Sequence, residues 1–166
     1  MEQLLNRLLI ILDDQTGLYR SLLAVYEEER QCLLAFDLEG ITAASKMKEN
    51  MILKVKILEE QRVHITNQLA NILQQPASEL TITRLAEKTD IRFSYKLSAA
   101  AESLTSILEQ LKIAHSTNRS LITHSQELIS SSLAFLHSNL TPDPVYHQDG
   151  RVARQAQCGR LVARTI

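Results

Sequence analysis

Histidine and glutamate are the residue types in this chain that could hold a metal ion or transfer a proton. A di-iron helical bundle needs Glu-x-x-His on two helices, but Glu60 and His64 are four residues apart, and no glutamate lies three residues before His115, His124 or His137. His115 and His124 are nine residues apart, which does not place them together as metal ligands on one helix face. We therefore interpret these histidines as surface or interhelical side chains.

Two other kinds of chemistry also lack their signatures. A histidine phosphotransfer bundle is helical too, but no histidine here is followed by the small and basic residues that such a site presents. Gly150 and Gly159 are isolated, so a glycine-rich phosphate loop is absent from the sequence. We predict no catalytic, cofactor or metal site, and a helical enzyme or phosphotransfer module would require His64, His115 or His124 to be essential.

The composition is typical of long packed helices. The 166 residues include only four glycines and three prolines, and 45% of them are hydrophobic. A net charge of -1 argues against nucleic-acid binding, and two cysteines are too few for a disulfide framework. Polar residues interrupt the apolar sequence near the N-terminus, which argues against a signal peptide. No apolar run approaches the ~20 residues of a membrane span. These features predict a cytoplasmic protein without membrane insertion.

Apolar residues recur at steps of three and four through most of the chain, which predicts helices. Asp37 is a good N-cap for the second helix, Thr89 and Asp90 offer caps for the last one, and Pro142 and Pro144 end it. The expected helices cover residues 2–36, 38–73, 81–88 and 91–140. The predicted fold is all-α: an elongated antiparallel helical bundle with coiled-coil-like packing, made of three long helices and one short helix.

The chain divides into a predicted helical domain, residues 1–140, and a predicted flexible tail, residues 141–166. The tail is basic, with four arginines and two aspartates, and it has no helical or strand periodicity. Cys158 in the tail is expected to be an exposed thiol, whereas Cys32 lies on a helix stripe and is expected to be a small buried hydrophobe. If the first two helices form a hairpin about Asp37, Glu29 lies near Lys48, and such a pair would fix the register.

The last long helix changes character along its length. From His115 onward, polar residues interrupt the apolar stripe of this helix. In the first half the stripe is entirely apolar: Phe93, Leu97, Ala101, Leu104, Leu108 and Leu111. A mixed face suits a surface that stays soluble alone and accepts a partner helix, whereas a polar residue such as Asn118 on a packed stripe can instead specify register. Both interpretations stay open. The candidate surface consists of Asn118, Leu121, Ile122, Ser125, Leu128, Ile129, Phe135 and Leu136.

Three stretches in this order resemble the FlgN-type flagellar export chaperones, which are type III secretion chaperones for the hook-associated proteins. The first stretch is the junction running from Tyr26-Glu27-Glu28-Glu29-Arg30 to Phe36-Asp37-Leu38-Glu39-Gly40-Ile41. The second is Asn118-Arg119-Ser120-Leu121-Ile122 with the helix end at 136–140, and the third is the tail from Tyr146 to Val162. The resemblance covers essentially the whole chain, although the tail lacks the Gly/Ser-rich spacer expected of the family.

This resemblance implies a helical cytoplasmic chaperone without enzymatic activity or a cofactor. Its expected partners are the C-terminal helices of the hook-associated proteins FlgK and FlgL, which it keeps unassembled and delivers to the export gate protein FlhA. The resemblance assigns substrate binding to the C-terminal part, hence to the candidate surface. It assigns gate docking or a clamp to the tail residues Tyr146, Arg151, Val152 and Leu161.

The expected oligomeric state is a monomer or a weak dimer. The alternative function is a structural coiled-coil scaffold or tether, which would be a stable homo-oligomer with the same face already covered.

Overall fold

The computed structural model describes residues 1–140, with side chains described up to residue 138, and this part of the chain is helical without any strand. The helices are α1 (Glu2–Ala35), α2 (Leu38–Leu73), α3 (Ile82–Glu87) and α4 (Ile91–Leu140), with one 3₁₀ turn at Ala77–Glu79. The prediction of an all-α fold with three long helices and one short helix is confirmed. The predicted flexible tail, including Cys158, lies outside the described residues. Contacts divide the chain into two units, Met1–Thr123 and His124–Ile166.

The turn between α1 and α2 has the geometry of a Schellman cap. Phe36 is in the left-handed region at φ 56°, and the Asp37 N–H donates to the Cys32 carbonyl at 2.9 Å. The Asp37 side chain accepts a hydrogen bond from the Gly40 N–H at 3.0 Å, which confirms the predicted N-cap. A Cβ at position 40 would meet the Asp37 carboxylate and the Cys32 sulfur, so a larger residue there would require these side chains to shift.

The return from α2 to α4 uses a second left-handed cap and two side-chain caps. Gln74, at φ 53°, ends α2. The Thr81 hydroxyl caps α3 by accepting from the Arg84 N–H at 3.2 Å. The Asp90 carboxylate accepts from the Arg92 and Phe93 N–H groups, each at 3.0 Å, and so caps α4 as predicted.

The hydrophobic core of the first unit lies where the start of α1, the end of α2, α3 and the start of α4 meet. Leu12, Leu69 and Leu97 are completely buried there, one from each long helix. Leu85 and Ala86 of α3 are also buried and belong to the same cluster. The full cluster is Leu5, Leu8, Ile11, Leu12, Ile65, Leu69, Ala70, Leu80, Leu85, Ala86, Phe93 and Leu97.

Hydrogen bonds between helices define their directions. Gln15 of α1 donates to Glu59 of α2, and Lys48 of α2 donates to Glu29 of α1, so α1 and α2 are antiparallel. α4 runs parallel to α1, because Arg20 reaches Ser103 whereas Tyr26, six residues further along α1, accepts from Asn118. The first unit is therefore an up-down-up bundle, as the sequence predicts.

Three residues that the spacing of three and four places on apolar stripes are not buried: Leu108 on α4, and Cys32 and Phe36 at the end of α1. Leu108 is 41% exposed and Ile107 is buried in its place. The step from Leu104 to Leu111 can be divided as three plus four or as four plus three, so spacing alone does not decide between the two residues. Cys32 is only partly buried, and Phe36 is 70% exposed, because both lie at the end of α1 where the chain turns.

Candidate functional site

A buried polar layer joins α1, α2 and α4 near the hairpin turn. The Glu29 residue is only 2% exposed, and its two carboxylate oxygens have different partners. Lys48 Nζ donates to Oε1 at 2.6 Å, and Asn118 Nδ2 donates to Oε2 at 2.9 Å. The predicted Glu29–Lys48 pair is therefore confirmed, and each oxygen of the buried carboxylate has a donor, as a buried charge requires.

Two aromatic rings flank this layer. The Lys48 ammonium lies 4.8 Å from the centre of the Tyr26 ring, within the range of a cation–π interaction. The Tyr26 hydroxyl lies 3.3 Å from His115 Nδ1, and the two rings meet edge to face. Burial, and then the nearby Glu29 carboxylate, raise the pKa of Tyr26. His115 thus contacts a neighbouring helix through an aromatic pair.

Asn118 belongs to the packed bundle. Its side chain is buried, and its amide donates to the Tyr26 carbonyl at 2.8 Å as well as to Glu29. This geometry fits the interpretation in which a polar residue on a packed stripe fixes the register. Asn118 is the last buried residue of α4 among the side chains described, which extend to residue 138.

The remaining residues of the candidate surface are partly buried near Asn118 and exposed from Leu128 onward. Leu121, Ile122 and Ser125 are partly buried. The large apolar residues beyond them are between 53% and 68% exposed: Leu128, Ile129, Leu133, Phe135 and Leu136. Within the second unit, steps of three and four place Ser125, Leu128, Ile129, Leu133 and Leu136 on one side of α4.

The sequence prediction omitted Leu133, which is 59% exposed. Its position four residues after Ile129 was the signal that could have included it. With Leu133, the exposed large apolar side chains of this surface lie at positions 128, 129, 133, 135 and 136. We call the set Leu121, Ile122, Ser125, Leu128, Ile129, Leu133, Phe135 and Leu136 the α4 face.

Hydroxyl groups on and beside the α4 face bond to the helix itself. Ser132 Oγ donates to the Leu128 carbonyl at 2.8 Å, and Thr123 Oγ1 donates to the Arg119 carbonyl at 3.1 Å. A hydroxyl that is satisfied by the preceding turn can be covered by another protein without losing its hydrogen bond. The Ser132 hydroxyl is therefore compatible with burial.

Residues 1–140 contain neither a metal-binding group of side chains nor a helix suited to cross a membrane. No group of three His, Cys, Asp or Glu side chains in this part of the chain could hold a metal ion. None of the described helices combines the length and the apolar character that crossing a membrane requires. The candidate docking residues of the tail, Tyr146, Arg151, Val152 and Leu161, lie outside the described residues.

The comparison with protein families gives one match that covers most of the chain. The FlgN family model, described as FlgN protein, matches residues 1–154. No curated protein and no solved structure matches the chain. The matched range contains all four helices, the buried polar layer and the α4 face. The chain therefore belongs to the FlgN family, the family of flagellar export chaperones.

Proposed function

We propose that this protein is a cytoplasmic export chaperone that binds the C-terminal helices of the hook-associated proteins FlgK and FlgL on its α4 face. Binding keeps those helices from assembling early, and the complex is delivered to the type III export gate protein FlhA. The observation that supports this proposal is the row of large, mostly exposed apolar side chains from Leu128 to Leu136 on a regular helix.

Exposing this row of apolar side chains to water is unfavourable in free energy unless another surface covers them. Fully burying a leucine, isoleucine or phenylalanine side chain stabilises a complex by about 1.5–3 kcal/mol, so covering one that is about half exposed contributes roughly 1 kcal/mol. Several such side chains on one helix face form a contiguous apolar patch of the kind that marks interaction sites. An amphipathic guest helix fits this pattern, because its own apolar residues recur at the same spacing.

Release at the export gate requires that binding is not too strong. The serine-rich segment Ser130-Ser131-Ser132 lies among the apolar residues and limits the apolar area of the face. We propose that the tail residues Tyr146, Arg151, Val152 and Leu161 contact the guest helix or the gate. A segment that orders only on binding lowers the affinity by a few kcal/mol, which favours release.

Two isoleucines of α4 offer a matched pair of variants. Ile129 belongs to the α4 face and Ile113 does not, and both are exposed, at 55% and 67%. Ile129→Asp should weaken binding to the purified C-terminal segment of FlgK or FlgL by about tenfold or more, since it removes roughly 1 kcal/mol of apolar contact and buries a carboxylate. Ile113→Asp should leave the affinity within about twofold. Isothermal titration calorimetry measures both, and equal effects would contradict the proposal.

Hydrogen exchange tests the position of the guest helix directly. Amide exchange across residues 115–140 should slow when the C-terminal segment of a hook-associated protein is added, while α1 and α2 should change little. Unchanged exchange in this segment would reject the proposed site. Co-purification with FlgK, FlgL and the cytoplasmic part of FlhA, with and without residues 141–166, would then show whether the tail serves the substrate or the gate.

The scaffold alternative uses the same exposed face but fills it with a second copy of the chain. It predicts a stable homo-oligomer at nanomolar concentration in which Ile129→Asp breaks the assembly. Sedimentation of the purified protein separates the two functions, because the chaperone leaves the α4 face open until a substrate arrives.

A further inference from the structure

The turn between α1 and α2 exposes three large apolar side chains within five residues. Leu34 at the end of α1 is 56% exposed, Phe36 in the turn is 70% exposed, and Leu38 at the start of α2 is 76% exposed. We call these three residues the tip cluster. Single exposed apolar residues are ordinary on a protein surface, but a group of large ones marks an interaction site, because a partner that covers them releases water from apolar surface.

The backbone at Phe36 favours glycine rather than phenylalanine. Phe36 ends α1 in the left-handed conformation, at φ 56° and ψ 31°, where a residue with a Cβ has a steric cost that glycine avoids. A buried ring would offset that cost through packing, but most of this ring is exposed. The other left-handed cap, Gln74 at the end of α2, carries a polar side chain that suits an exposed position. The fold therefore gains little from an aromatic residue at position 36, whereas a partner that covered the ring would gain from it.

The sequence around this turn is acidic. Residues 27–45 contain four glutamates, one aspartate and one arginine, so their formal charge is -4. The buried Glu29 is paired with Lys48, and the exposed Glu27 is paired with Arg30. Two of the five acids thus have a cationic partner on the neighbouring helix or in the next turn.

The other three acids of this stretch are exposed and have no cationic partner within the described part of the chain: Glu28, Asp37 and Glu39. The Asp37 carboxylate accepts the Gly40 N–H, and both Asp37 and Glu39 stabilise the start of α2 through the helix dipole. Glu28 lies on α1 and has no such role. Glu28 and Glu39 therefore present carboxylates, one on each helix, that a cation of another molecule can reach.

We infer that the tip cluster is a docking surface for a segment of another protein in which apolar side chains are flanked by lysine or arginine. The apolar side chains of that segment cover Phe36 and Leu38, and its cations pair with the carboxylates of Glu28 and Glu39. Charge complementarity of this kind speeds the encounter and selects the partner, while the apolar contacts supply most of the affinity.

The negative charge of the turn selects this occupant over others. Nucleic acid and an anionic membrane surface would be repelled by it. A second copy of the chain would bring the same acids and no cation to the tip cluster, so two tips repel each other. The tip cluster belongs to the first unit and includes no residue of the α4 face, so this inference goes beyond the proposed function and does not depend on it.

Selection from a random dodecapeptide library displayed on phage tests the class of partner. The full wild-type chain is the target, and Phe36→Gly is used to remove peptides that bind elsewhere. Glycine keeps the left-handed turn and removes the ring, so lost binding does not come from a lost fold. Peptides that bind the wild type but not Phe36→Gly should combine apolar residues with lysine or arginine. Leu38→Ala, which keeps a good helix former, should also lose these peptides.

Fluorescence anisotropy with one selected peptide then measures the two kinds of contact. Phe36→Gly should weaken binding about tenfold or more, because it removes the largest apolar contact. Glu39→Lys should weaken it about threefold or more, and raising the salt concentration should weaken it as well, since the ion pairs are exposed.

Three variants serve as matched controls. Tyr95→Ala removes an aromatic side chain that is 77% exposed on α4, and Glu109→Lys reverses an exposed acid of α4. Both should leave the affinity for the peptide unchanged. Ile129→Asp on the α4 face should leave it unchanged too, so a failure of the proposed function and a failure of this inference are separate results.

Three results would overturn the inference. The first is a selection in which no peptide distinguishes the wild type from Phe36→Gly. The second is a set of distinguishing peptides without an excess of lysine and arginine. The third is a selected peptide whose affinity falls as much with Tyr95→Ala or Glu109→Lys as with the tip variants, because its contact then lies on another surface.

Discussion

Replacing Lys48 by methionine tests whether the buried polar layer holds the bundle together as its geometry indicates. Methionine keeps the unbranched apolar part of lysine, so the change chiefly removes the ammonium. Glu29 then keeps a carboxylate inside the bundle with Asn118 as its remaining side-chain donor. Leaving one charge of a buried pair without its partner costs about 3–5 kcal/mol.

The burial of the two partners sets the expected magnitude. The Glu29 side chain is 3% exposed, but the Lys48 side chain is 17% exposed, so water can partly replace the ammonium. We therefore expect the lower end, about 3 kcal/mol of lost unfolding free energy, which lowers the melting temperature by roughly 10 °C for a domain of this size. Urea unfolding followed by circular dichroism measures the free energy, and differential scanning calorimetry measures the temperature.

Two further variants make the prediction decisive. Glu29→Gln combined with Lys48→Met should recover most of the loss, because the amide still accepts from Asn118 and no charge is buried. Arg30→Met removes the exposed pair with Glu27, whose atoms are 3.7 Å apart, and should cost less than about 1 kcal/mol. If Lys48→Met costs no more than Arg30→Met, the reasoning from burial is refuted.

Three more predictions concern the helix ends and the Glu59 carboxylate of α2. Phe36→Gly should raise the unfolding free energy by about 0.5–1 kcal/mol in urea titrations, because glycine adopts the left-handed backbone conformation of position 36 without the steric cost, and the exposed Phe36 ring loses little packing. Lower stability would show that the ring contributes to the fold. Asp90→Ala should lower the unfolding free energy by about 1 kcal/mol in the same assay, since it removes the cap of α4; Asp90→Ser should recover part of the loss. The hydrogen bond from Arg62 is the main cause that holds the pKa of Glu59 below its usual value of 4.5. The ionised carboxylate therefore stabilises the fold above pH 4.5, and this stabilisation is lost as the pH falls through the lower pKa of the folded state. The difference in unfolding free energy between wild type and Glu59→Gln should therefore shrink in titrations carried below pH 4.5, and a difference that grew there would contradict the assignment.

The helices were predictable because local chemistry and spacing agree along most of the chain. Asp37 and Asp90 act as caps through side-chain oxygens, which their residue type and position already indicate. The Glu29–Lys48 contact followed from counting outward from the Asp37 turn, since a short turn between two regular helices leaves little freedom in register.

The site was less predictable because exposure depends on where neighbouring helices end. The same spacing of three and four describes Leu97, which is completely buried, and Ile129, which is mostly exposed. From its spacing, Asn118 could lie in the packed bundle or on an exposed surface. Only its hydrogen bonds to Tyr26 and Glu29 place it within the bundle. Similarly, the choice between Ile107 and Leu108 depends on the direction from which α1 and α2 approach, which the sequence of α4 does not contain.

The parallel placement of α1 and α4 has a consequence for the order in which the chain folds. The α1–α2 hairpin closes through contacts that are near in sequence, with Glu29 and Lys48 only 19 residues apart. Asn118 reaches Glu29 across 89 residues, so this contact forms only after nearly the whole described chain is available. Closing such a long loop is slow and entropically costly. We expect the hairpin to form early, with the Glu29–Lys48 pair still hydrated, and the arrival of α4 to remove water from that pair in the last step of folding.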